Sequence, residues 1–412
     1  MGNFIFKKVV IIGGGVGGLS CAISLCKKGF SPDDILILER ENELGGNLKY
    51  NLDGNYGLIT FNKFVTSYEF LNFLIEDIED LKINYLLNTY VFSIEDKKVN
   101  VISKTLGRIP IEFEVLIIAS GSKQLINLDS YVYDTNILRS LTTGIFFQKG
   151  ISISGLLLSK DVLLTGTSSR ELFLAKRIIL EGGNVKGIIE KEDRIISNDL
   201  SLINFMKTNN VNIYLNSTIK KIVKTSLGFQ NYLDVLINVK GKTLKNILCG
   251  RIICPFKYFP ENNFVNNYLD LGEKGEILIN DRFMTSAKGI FSIGNCSNLY
   301  INSDSIYVDS MSLSQSVYEY VNNSNLNYEN INIQYDKDNI NLITPNSITN
   351  TKNQKHIILL VDPSKTSMGV NVCINGEKFK DFKLLRFENY LELLLNLENY
   401  EKDINTIKIF LE

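Results

Sequence analysis

Apolar and polar positions in the first forty residues predict a strand, a helix and a second strand. The continuous apolar run Val9–Ile12 is typical of a parallel strand that is buried on both faces. It leads into Gly13, Gly15 and Gly18, then into a helix-length segment and a second apolar run that ends at Glu39. This order of strand, glycine turn, helix, strand and acid predicts a βαβ unit that binds a dinucleotide.

Each of these residues has a separate physical task in such a unit. Gly13 allows the tight turn, Gly15 lets the backbone approach a pyrophosphate, and Gly18 lets the helix pack closely on the strand. The helix N-terminus offers N–H groups and the positive end of its dipole to the phosphates. Glu39 stands where a carboxylate accepts hydrogen bonds from a ribose hydroxyl.

Periodicity predicts further elements along the chain. A helix with one buried face is predicted from apolar residues at helical spacing, namely Phe70, Leu71, Leu74, Ile75, Ile78 and Leu81. Short strands with a turn at Gly107 follow, and the apolar run Val115–Ala119 predicts a central parallel strand that ends at Ser120 and Gly121.

The last eighty residues alternate as in a small β-rich unit with no chemical motif of its own. Within it, the segment "FENYLELLLNL" is predicted to form a short helix. The only histidine of the chain, His356, opens a predicted strand and is expected to be structural or exposed rather than catalytic.

A second strand–turn–helix–strand–acid pattern covers residues 160–190, but its glycines are not retained. Gly166 holds the first position, while Ser168 and Glu171 replace the second and third glycines. We expect the Ser168 side chain to crowd a pyrophosphate and the Glu171 carboxylate to repel one, by roughly 3 kcal/mol at an effective dielectric constant of about 20. If a nicotinamide dinucleotide binds, Glu190 favours NAD over NADP because a carboxylate repels a 2′-phosphate.

Composition narrows the classes of protein. Hydrophobic residues make up 44% of the 412-residue chain and charged residues 22%, as in an ordinary globular protein of two or three domains. A net charge of −1 argues against a nucleic-acid partner. No apolar stretch is long enough to predict a transmembrane helix. The six cysteines include no C-x-x-C pair, which suits reduced, buried thiols and a cytoplasmic location. With a single histidine in the chain, a zinc site is not expected.

Two further motifs complete a recognisable set. Gly45 and Gly46 follow Leu44 in an L-G-G loop, and residues 285–295, "TSAKGIFSIGN", form a T-x-x-x-G-I-F-S-x-G-N motif. With the first glycine turn and the "VLIIASG" strand, they resemble the FAD-dependent pyridine nucleotide–disulfide oxidoreductase superfamily. The resemblance implies FAD as cofactor, with Asn295 hydrogen-bonded to the ribitol and the helix after Val308 and Asp309 directed at the flavin.

The resemblance also implies a fold and a set of cofactor ligands. The expected fold is α/β, with two Rossmann-like three-layer dinucleotide-binding domains as in glutathione reductase and a small β-rich C-terminal domain. The FAD domain is expected over residues 1–125 and 280–330, the NAD(P)-like domain over 150–279 and the C-terminal domain over 333–412. The expected FAD ligands are Gly13, Gly15, Gly18, Glu39, Arg40, Gly45, Gly46, Val91, Ser120, Gly121, Gly294, Asn295 and Asp309, and the possible NAD ligands are Gly166, Ser168 and Glu190.

Within the superfamily, the chain is similar to oxidoreductases that accompany anaerobic glycerol-3-phosphate dehydrogenase-like flavoproteins. Those relatives often carry a cysteine and a histidine after the L-G-G loop, where this chain has Asn51 and Asp53, so that chemistry is not inherited. The disulfide-reductase branch is disfavoured because it needs a cysteine pair over the flavin. At the second fingerprint, Lys257 stands where the family has a glycine ahead of Pro260. It either offsets Glu171 and holds a phosphate, or the domain has lost its nicotinamide ligand.

Three functions remain open from the sequence. The first is an FAD-dependent oxidoreductase that carries two electrons, working with a small-molecule or protein redox partner such as a glycerol-3-phosphate dehydrogenase-like flavoprotein. The second is an NADH-dependent flavin oxidoreductase with a divergent nicotinamide site. The third is a non-catalytic subunit that retains the flavoprotein fold.

Overall fold

The computed structural model describes residues 5–51, 54, 56–126, 135–227, 230–241, 243–255, 257–265, 268–298, 302–323, 329–387 and 390–412. The chain divides into two compact units. The first comprises Met1–Lys49, Gly54–Lys123 and Phe259–Glu412, and the second comprises Tyr50–Asp53 and Gln124–Tyr258. Residues 259–279, expected in the second domain, therefore group with the first unit, as does the C-terminal region.

The first unit begins with the predicted βαβ pattern. Its strands are Ile5–Ile12 (β1), Ile35–Leu38 (β2), Asn84–Leu86 (β3), Thr89–Glu95 (β4), Lys98–Ser103 (β5) and Gly107–Ile118 (β6), followed by Ser122–Gln124 (β7). Its helices are Val16–Lys27 (α1), Leu58–Phe61 (α2) and Ser67–Asp80 (α3). The strand order is β3-β2-β1-β6-β5-β4, in which β1, β2, β3 and β6 are parallel.

Alternation along β1 places its side chains in two different cores. Val9 and Ile11 pack with α1 and α3 on one face of the sheet, and Val10 and Ile12 pack with β4 and β5 on the other. All four side chains are at most 6% exposed. A strand covered on both faces reads as a continuous apolar run, which is why the prediction for Val9–Ile12 is confirmed.

The predicted amphipathic helix is confirmed as α3. Its start is fixed by a capping box, in which Glu69 N donates to Thr66 Oγ1 at 3.2 Å and Thr66 N donates to Glu69 Oε2 at 2.7 Å. Phe70 and Leu74 on its inner face are almost completely buried.

The second unit repeats the parallel architecture. Its strands are Leu141–Thr143 (β8), Asp161–Thr165 (β9), Asn184–Ile189 (β10), Ile213–Tyr214 (β11), Ser217–Leu227 (β12), Gln230–Val239 (β13), Thr243–Cys249 (β14) and Arg251–Cys254 (β15), and Tyr258–Pro260 (β16) runs past its end. Its helices are Gly144–Ser154 (α4), Ser169–Leu180 (α5) and Leu200–Thr208 (α6). The order β11-β10-β9-β15-β8 is parallel throughout, and β12, β13 and β14 form an antiparallel meander.

The chain then completes the first unit. Ile290–Ser292 (β17) pairs in parallel with β6, and the long helix Ser303–Asn322 (α7) packs on α1. The described residues after α7 form nine strands: Asn330–Tyr335 (β18), Ile340–Thr344 (β19), Ser347–Thr349 (β20), Gln354–Val361 (β21), Val370–Ile374 (β22), Glu377–Phe379 (β23), Phe382–Arg386 (β24), Tyr390–Asn396 (β25) and Ile407–Leu411 (β26). They form a five-stranded and a four-stranded sheet around one hydrophobic core.

The prediction of a short helix in "FENYLELLLNL" is wrong. The segment Tyr390–Asn396 is strand β25, in which Leu391, Leu393 and Leu395 are fully buried and the residues between them are half-buried. Its leucine-rich composition favours a helix, but its alternation matches the period of a strand that is buried on one face. Among the helices of the described residues, none is long and apolar enough to cross a membrane.

A buried ion pair holds the C-terminal sheets to the loop before β17. Lys355, on β21, is 1% exposed, and its Nζ lies 2.5 Å from Asp281 Oδ2. Asp281 also accepts from Thr349 N at 2.6 Å and from Thr349 Oγ1 at 3.0 Å. Both charges therefore have partners, as buried charges require.

Replacing Lys355 with Met should leave the Asp281 carboxylate buried without its counter-charge. We expect the free energy of unfolding to fall by about 3–5 kcal/mol, the usual cost of breaking a buried pair. Urea-induced unfolding followed by circular dichroism measures it. The control is Lys337→Met, which breaks the exposed pair with Glu273 and should leave the midpoint unchanged. Equal midpoints for both variants would show that the buried pair contributes nothing.

Candidate functional site

The turn after β1 needs glycine at two positions for steric reasons. Gly13 has a φ of +106°, and a Cβ there would lie 2.3 Å from the carbonyl oxygen of Ala119 at the end of β6. A Cβ on Gly18 would lie 1.9 Å from the carbonyl oxygen of Gly13. Gly13 N donates to Leu38 O at 2.8 Å, which ties the turn to β2. These contacts bring the turn, α1 and the central strands as close as backbones can approach.

The L-G-G loop packs directly on this turn. Gly45 N donates to Gly14 O at 2.7 Å, and a Cβ on Gly46 would lie 3.0 Å from the Cα of Gly15. A Cβ on Gly15 itself would meet only the Cα of Gly46, at 3.8 Å, which is an ordinary contact. The packing of the chain alone therefore does not require glycine at position 15. Space is left beside Gly15, at the N-terminus of α1.

Glu39 lies at the carboxyl end of β2 and closes the turn from the side. Its side chain is 6% exposed. Oε2 accepts from Gly14 N at 2.7 Å and Oε1 from Glu41 N at 2.9 Å. These two bonds fix the orientation of the carboxylate beside the turn. Arg40 is half-exposed, and its Nη1 lies 3.5 Å from a carboxylate oxygen of Glu261.

The carboxyl ends of β6 and β17 bring the distant motifs together. Ser120 and Gly121 follow β6, and Gly294 and Asn295 follow β17, which pairs with β6. Asn295 Nδ2 donates to Ser122 Oγ at 3.4 Å. Among the described residues, Asn295 Oδ1 has no hydrogen-bond partner although it is buried. A buried acceptor without a donor is costly, so this atom fits a ligand hydroxyl.

Asn262 is a residue of this region that the sequence did not reveal. Its Nδ2 donates to Cys296 O at 3.0 Å and to Gly275 O at 2.9 Å, and its Oδ1 accepts from Ser120 Oγ at 3.3 Å. It thereby joins the ends of β6 and β17. The segment Pro260–Asn262 lies within the range expected for the second domain, but it belongs to the first unit, with Glu261 beside Arg40 and Lys123.

Asp304 is a second position that the motifs did not indicate. It lies in the first turn of α7 and is 7% exposed. Its carboxylate accepts from Gly57 N at 2.9 Å, from Thr60 N at 3.0 Å and from Thr60 Oγ1 at 2.6 Å. It fixes the segment after the L-G-G loop to the start of α7. The signal available in the sequence was an acid in the first turn of a helix.

The sequence singled out four further positions, namely Val91, Asp309, Asn51 and Asp53. The side chain of Val91 is buried in the core beneath the sheet, so only its backbone could face a ligand. Asp309 lies within α7 and lines a cavity beside the C-terminal strands. Asn51, at the family's cysteine position, is half-buried, and Asp53 lies outside the described residues.

The corresponding turn of the second unit is filled by the chain itself. Gly166 has a φ of +94°, and a Cβ there would meet the carboxyl carbon and Oε1 of Glu171, both at 3.2 Å. Glu171 is 4% exposed, and its Oε2 accepts a hydrogen bond from Ser168 Oγ. Ser168 is the N-cap residue of α5 and Glu171 is three residues on, the spacing of a capping box. The carboxylate thus lies against the glycine turn at the helix N-terminus.

The acid of the second unit is also engaged by neighbouring residues. Glu190 Oε2 accepts from Thr167 Oγ1 at 2.6 Å, and Oε1 accepts from Glu192 N at 3.0 Å. Thr167 is fully buried, and its Oγ1 accepts from Ile196 N at 3.0 Å. Position 167 therefore ties the turn to the segment after β10.

Lys257 does not neutralise Glu171. Its side chain is exposed, and within the described part of the second unit the two form no ion pair. The charged neighbour is Arg170, whose guanidinium lies 5.1 Å from the centre of the Tyr258 ring. Burial raises the pKa of Tyr258, with Arg170 lowering it and Glu171 raising it.

The cysteines do not form a reactive pair. All six are free thiols. Burial raises the pKa of Cys254 to about 11 and that of Cys249 to about 12, and it raises the pKa of Cys21 further. A thiol with so high a pKa is a poor nucleophile at neutral pH. No group of histidine, cysteine and acidic side chains that could hold a metal occurs among the described residues.

Two Rossmann-like units, one of them with three converging glycine-containing loops, are typical of two-domain dinucleotide-binding proteins. The sequence profile of the pyridine nucleotide-disulphide oxidoreductases matches residues 7–319. The chain belongs to this family and is therefore an oxidoreductase. Residues 320–412 lie beyond the matched region.

The relatives agree with this assignment. The chain is 25% identical over 309 residues to a thioredoxin reductase of Borreliella burgdorferi, covering 71% of this chain and 85% of that protein. It is similar in fold to the thioredoxin reductase of Lactococcus lactis, with a TM-score of 0.61, 18% identity and coverage of 76% and 99% of the two chains. It is likewise similar to the bacillithiol disulfide reductase of Bacillus cereus, with a TM-score of 0.59, 16% identity and the same coverage. The predicted fold class is confirmed.

Substitution of Gly15 should separate ligand binding from folding. Gly15→Ala places a methyl group in the open space beside the turn, so we expect FAD affinity to fall at least tenfold, about 1.4 kcal/mol, with an unchanged melting temperature of the apoprotein. The measurement is the flavin-to-protein ratio after equilibration with FAD at a series of concentrations.

Two variants provide the comparison for that experiment. Gly18→Ala should lower the melting temperature as well, because its Cβ would overlap the backbone at Gly13. Gly369→Ala, where the nearest atom is at 3.5 Å, should change neither quantity. Normal FAD binding by Gly15→Ala would show that this turn does not approach a pyrophosphate.

Proposed function

We propose that the chain is an FAD-dependent oxidoreductase that carries two electrons and that its flavin is not reduced by a nicotinamide dinucleotide bound to the second unit. One observation supports this most directly. The turn at the N-terminus of α1 leaves space beside Gly15, whereas the turn at the N-terminus of α5 is occupied by the carboxylate of Glu171. The two copies of the same fold therefore differ in whether an anion can enter.

The residues of the first unit fit FAD. The N-terminus of α1 has no acidic residue in its first turn and no side-chain cap, which suits a pyrophosphate. Glu39 is oriented to accept hydrogen bonds from the adenosine ribose, and Asn295 Oδ1 lacks a donor that a ribitol hydroxyl would supply. A bound flavin would supply hydride and electron transfer, while the protein positions it and tunes it.

The residues of the second unit do not fit a pyrophosphate. A phosphate at α5 would have to displace the Glu171 carboxylate from the turn and from the Ser168 hydroxyl. It would also lie close to a like charge in a buried site, where Coulomb repulsion is strong. Glu171 itself places a negative charge in the first turn of α5, which stabilises the helix N-terminus without a ligand. The third possibility, a subunit without redox activity, has no comparable observation in the first unit to favour it.

The molecule that exchanges electrons with the flavin is proposed to use neither a nicotinamide site in the second unit nor a cysteine pair. The buried thiols with raised pKa values do not suit the dithiol exchange of a disulfide reductase. The donor or acceptor is then a small molecule or a redox protein that contacts the flavin directly. The resemblance to companions of glycerol-3-phosphate dehydrogenase-like flavoproteins makes a protein partner of that kind one form of this proposal.

Anaerobic mixing with NADH tests the proposal. We expect the purified, FAD-saturated protein to show flavin bands that do not bleach with NADH or NADPH at concentrations up to about 1 mM, because neither cofactor displaces Glu171. Dithionite should bleach the same bands, which shows that the flavin itself is reducible.

The double variant Ser168→Gly with Glu171→Gly provides the converse test. Removing the carboxylate opens the turn, and we expect measurable NADH binding that the parent protein lacks. The control for the added glycines is the double variant Ser159→Gly with Glu181→Gly, because both of these positions lie outside the turn. Rapid bleaching of the parent protein by micromolar NADH would refute the proposal. An absence of flavin bands after incubation with FAD would refute its first part.

A further inference from the structure

A cavity of about 610 Å³ lies in the first unit, between α7 and the C-terminal strands. Its volume falls in the range of sites for small molecules. Its walls carry polar groups from Asn298, Asp309 and His356 and apolar groups from Met311, Pro345 and Ile358. The family profile ends at residue 319, so the strand that contributes His356 and Ile358 lies beyond the region shared with the family.

Two acceptors in this cavity have no partner. Within the described residues, the carboxylate of Asp309 makes neither a hydrogen bond nor an ion pair. Asn298 is 6% exposed, and its Oδ1 is buried without a hydrogen-bond donor in the described part of the chain. Asp309 is partly exposed, whereas Asn298 is buried. A buried acceptor without a donor is costly, and a ligand that donates to Asn298 would recover that cost.

Among the described residues, two of the three basic side chains that line the cavity are already paired, and the third, His356, lies beside Glu392. Lys355 is paired with Asp281 at 2.5 Å, and Arg282 is paired with Glu319. Gln315 Nε2 also donates to Glu319, at 2.8 Å. When Asp309 is ionised, the unpaired charge that the cavity presents to a ligand is negative and is centred on Asp309.

We propose that this cavity binds a small organic cation, with a primary ammonium group beside Asp309 and Asn298 and a short apolar body against Met311 and Ile358. An ammonium group has three hydrogen-bond donors and a positive charge, which matches an unpaired carboxylate and an unpaired amide oxygen. The proposal does not depend on the redox partner or on the state of the second unit.

The groups that face Asp309 determine how binding depends on pH. Burial raises the pKa of Asp309 to about 7, with His356 lowering it and Glu392 raising it. His356 Nε2 lies 3.6 Å from Glu392 Oε2. Burial lowers the pKa of His356, but Glu392 and Asp309 together raise it above its ordinary value. From α1, the buried thiol of Cys21 faces Asp309 and stays neutral because its own pKa is raised.

The titration of Asp309 favours a cation at higher pH. As the pH rises from 6 to 8, Asp309 becomes ionised, so the cavity becomes more negative. With a pKa of about 7, the ionised fraction of Asp309 increases about tenfold over this range, and the affinity for a cation should increase at least as much. A bound ammonium lowers the pKa of Asp309, so binding at pH 7 should release protons.

The experiment uses the full-length, FAD-saturated protein and three probes of matched size: n-butylammonium, 1-butanol and butyrate. Isothermal titration calorimetry at pH 6, 7 and 8 gives the affinities, and repetition at pH 7 in buffers of different ionisation enthalpy gives the protons released. We expect n-butylammonium to bind more tightly than 1-butanol and butyrate to bind least tightly. Affinity for the ammonium should rise about tenfold or more between pH 6 and pH 8.

Variants localise the binding. Asp309→Asn keeps the shape of the side chain and should weaken n-butylammonium binding at least tenfold at pH 8. Asp77→Asn, which removes an exposed carboxylate on α3 outside the cavity, should leave it unchanged. Melting temperature and FAD content confirm that each variant is folded. The comparison of the three probes on the parent protein needs no variant.

Three results would overturn the proposal. The first is butyrate binding as tightly as n-butylammonium. The second is unchanged ammonium affinity in a folded Asp309→Asn variant. The third is an absence of ammonium binding at pH 8 up to about 10 mM, the weak limit for a specific site.

Discussion

The N-terminus of a helix has N–H groups and a positive dipole end that an anion stabilises. Two helices, α1 and α5, present such an end directly after a glycine turn that follows a parallel strand. At α1 the surrounding glycines leave the helix end open, and the anion must come from outside. At α5 the chain supplies its own anion in Glu171, which lies against Gly166. The same physical need thus has opposite solutions in two copies of one fold, and the proposed function follows from that difference.

Much of the first site could be predicted from sequence because its determinants are local. Gly13 and Gly18 are needed for contacts within one turn, and the position of Glu39 follows from the length of one βαβ unit. The Gly294–Asn295 motif is distant along the chain, but it follows a strand that pairs with β6. Parallel pairing brings the carboxyl ends of such strands to one edge of the sheet. The proximity of the Gly294–Asn295 motif to the end of β6 is therefore predictable in principle.

Other features could not be predicted because they depend on which of several neighbouring groups a side chain or segment packs against in the folded chain. The Glu171 carboxylate was expected to repel a phosphate across the turn, whereas it folds back onto the turn and accepts from Ser168. Asn262 was assigned to the wrong unit because a segment next to a domain boundary has no local pattern that decides its side. For β25, the leucine content suggested a helix, and burial of one face in a sheet decided against it. His356 was expected to be structural or exposed, and neither expectation indicated that it would line a cavity opposite Asp309.

The number of dinucleotides bound per chain tests the central distinction between the two units most directly. Calorimetry with the apoprotein should give one FAD per chain. Titration of the FAD-saturated protein with ADP-ribose, which carries the pyrophosphate and ribose of NAD, should then give no binding heat. A second site that takes up ADP-ribose with micromolar affinity, and loses it on Gly166→Ala, would contradict the conclusion that Glu171 closes the second turn.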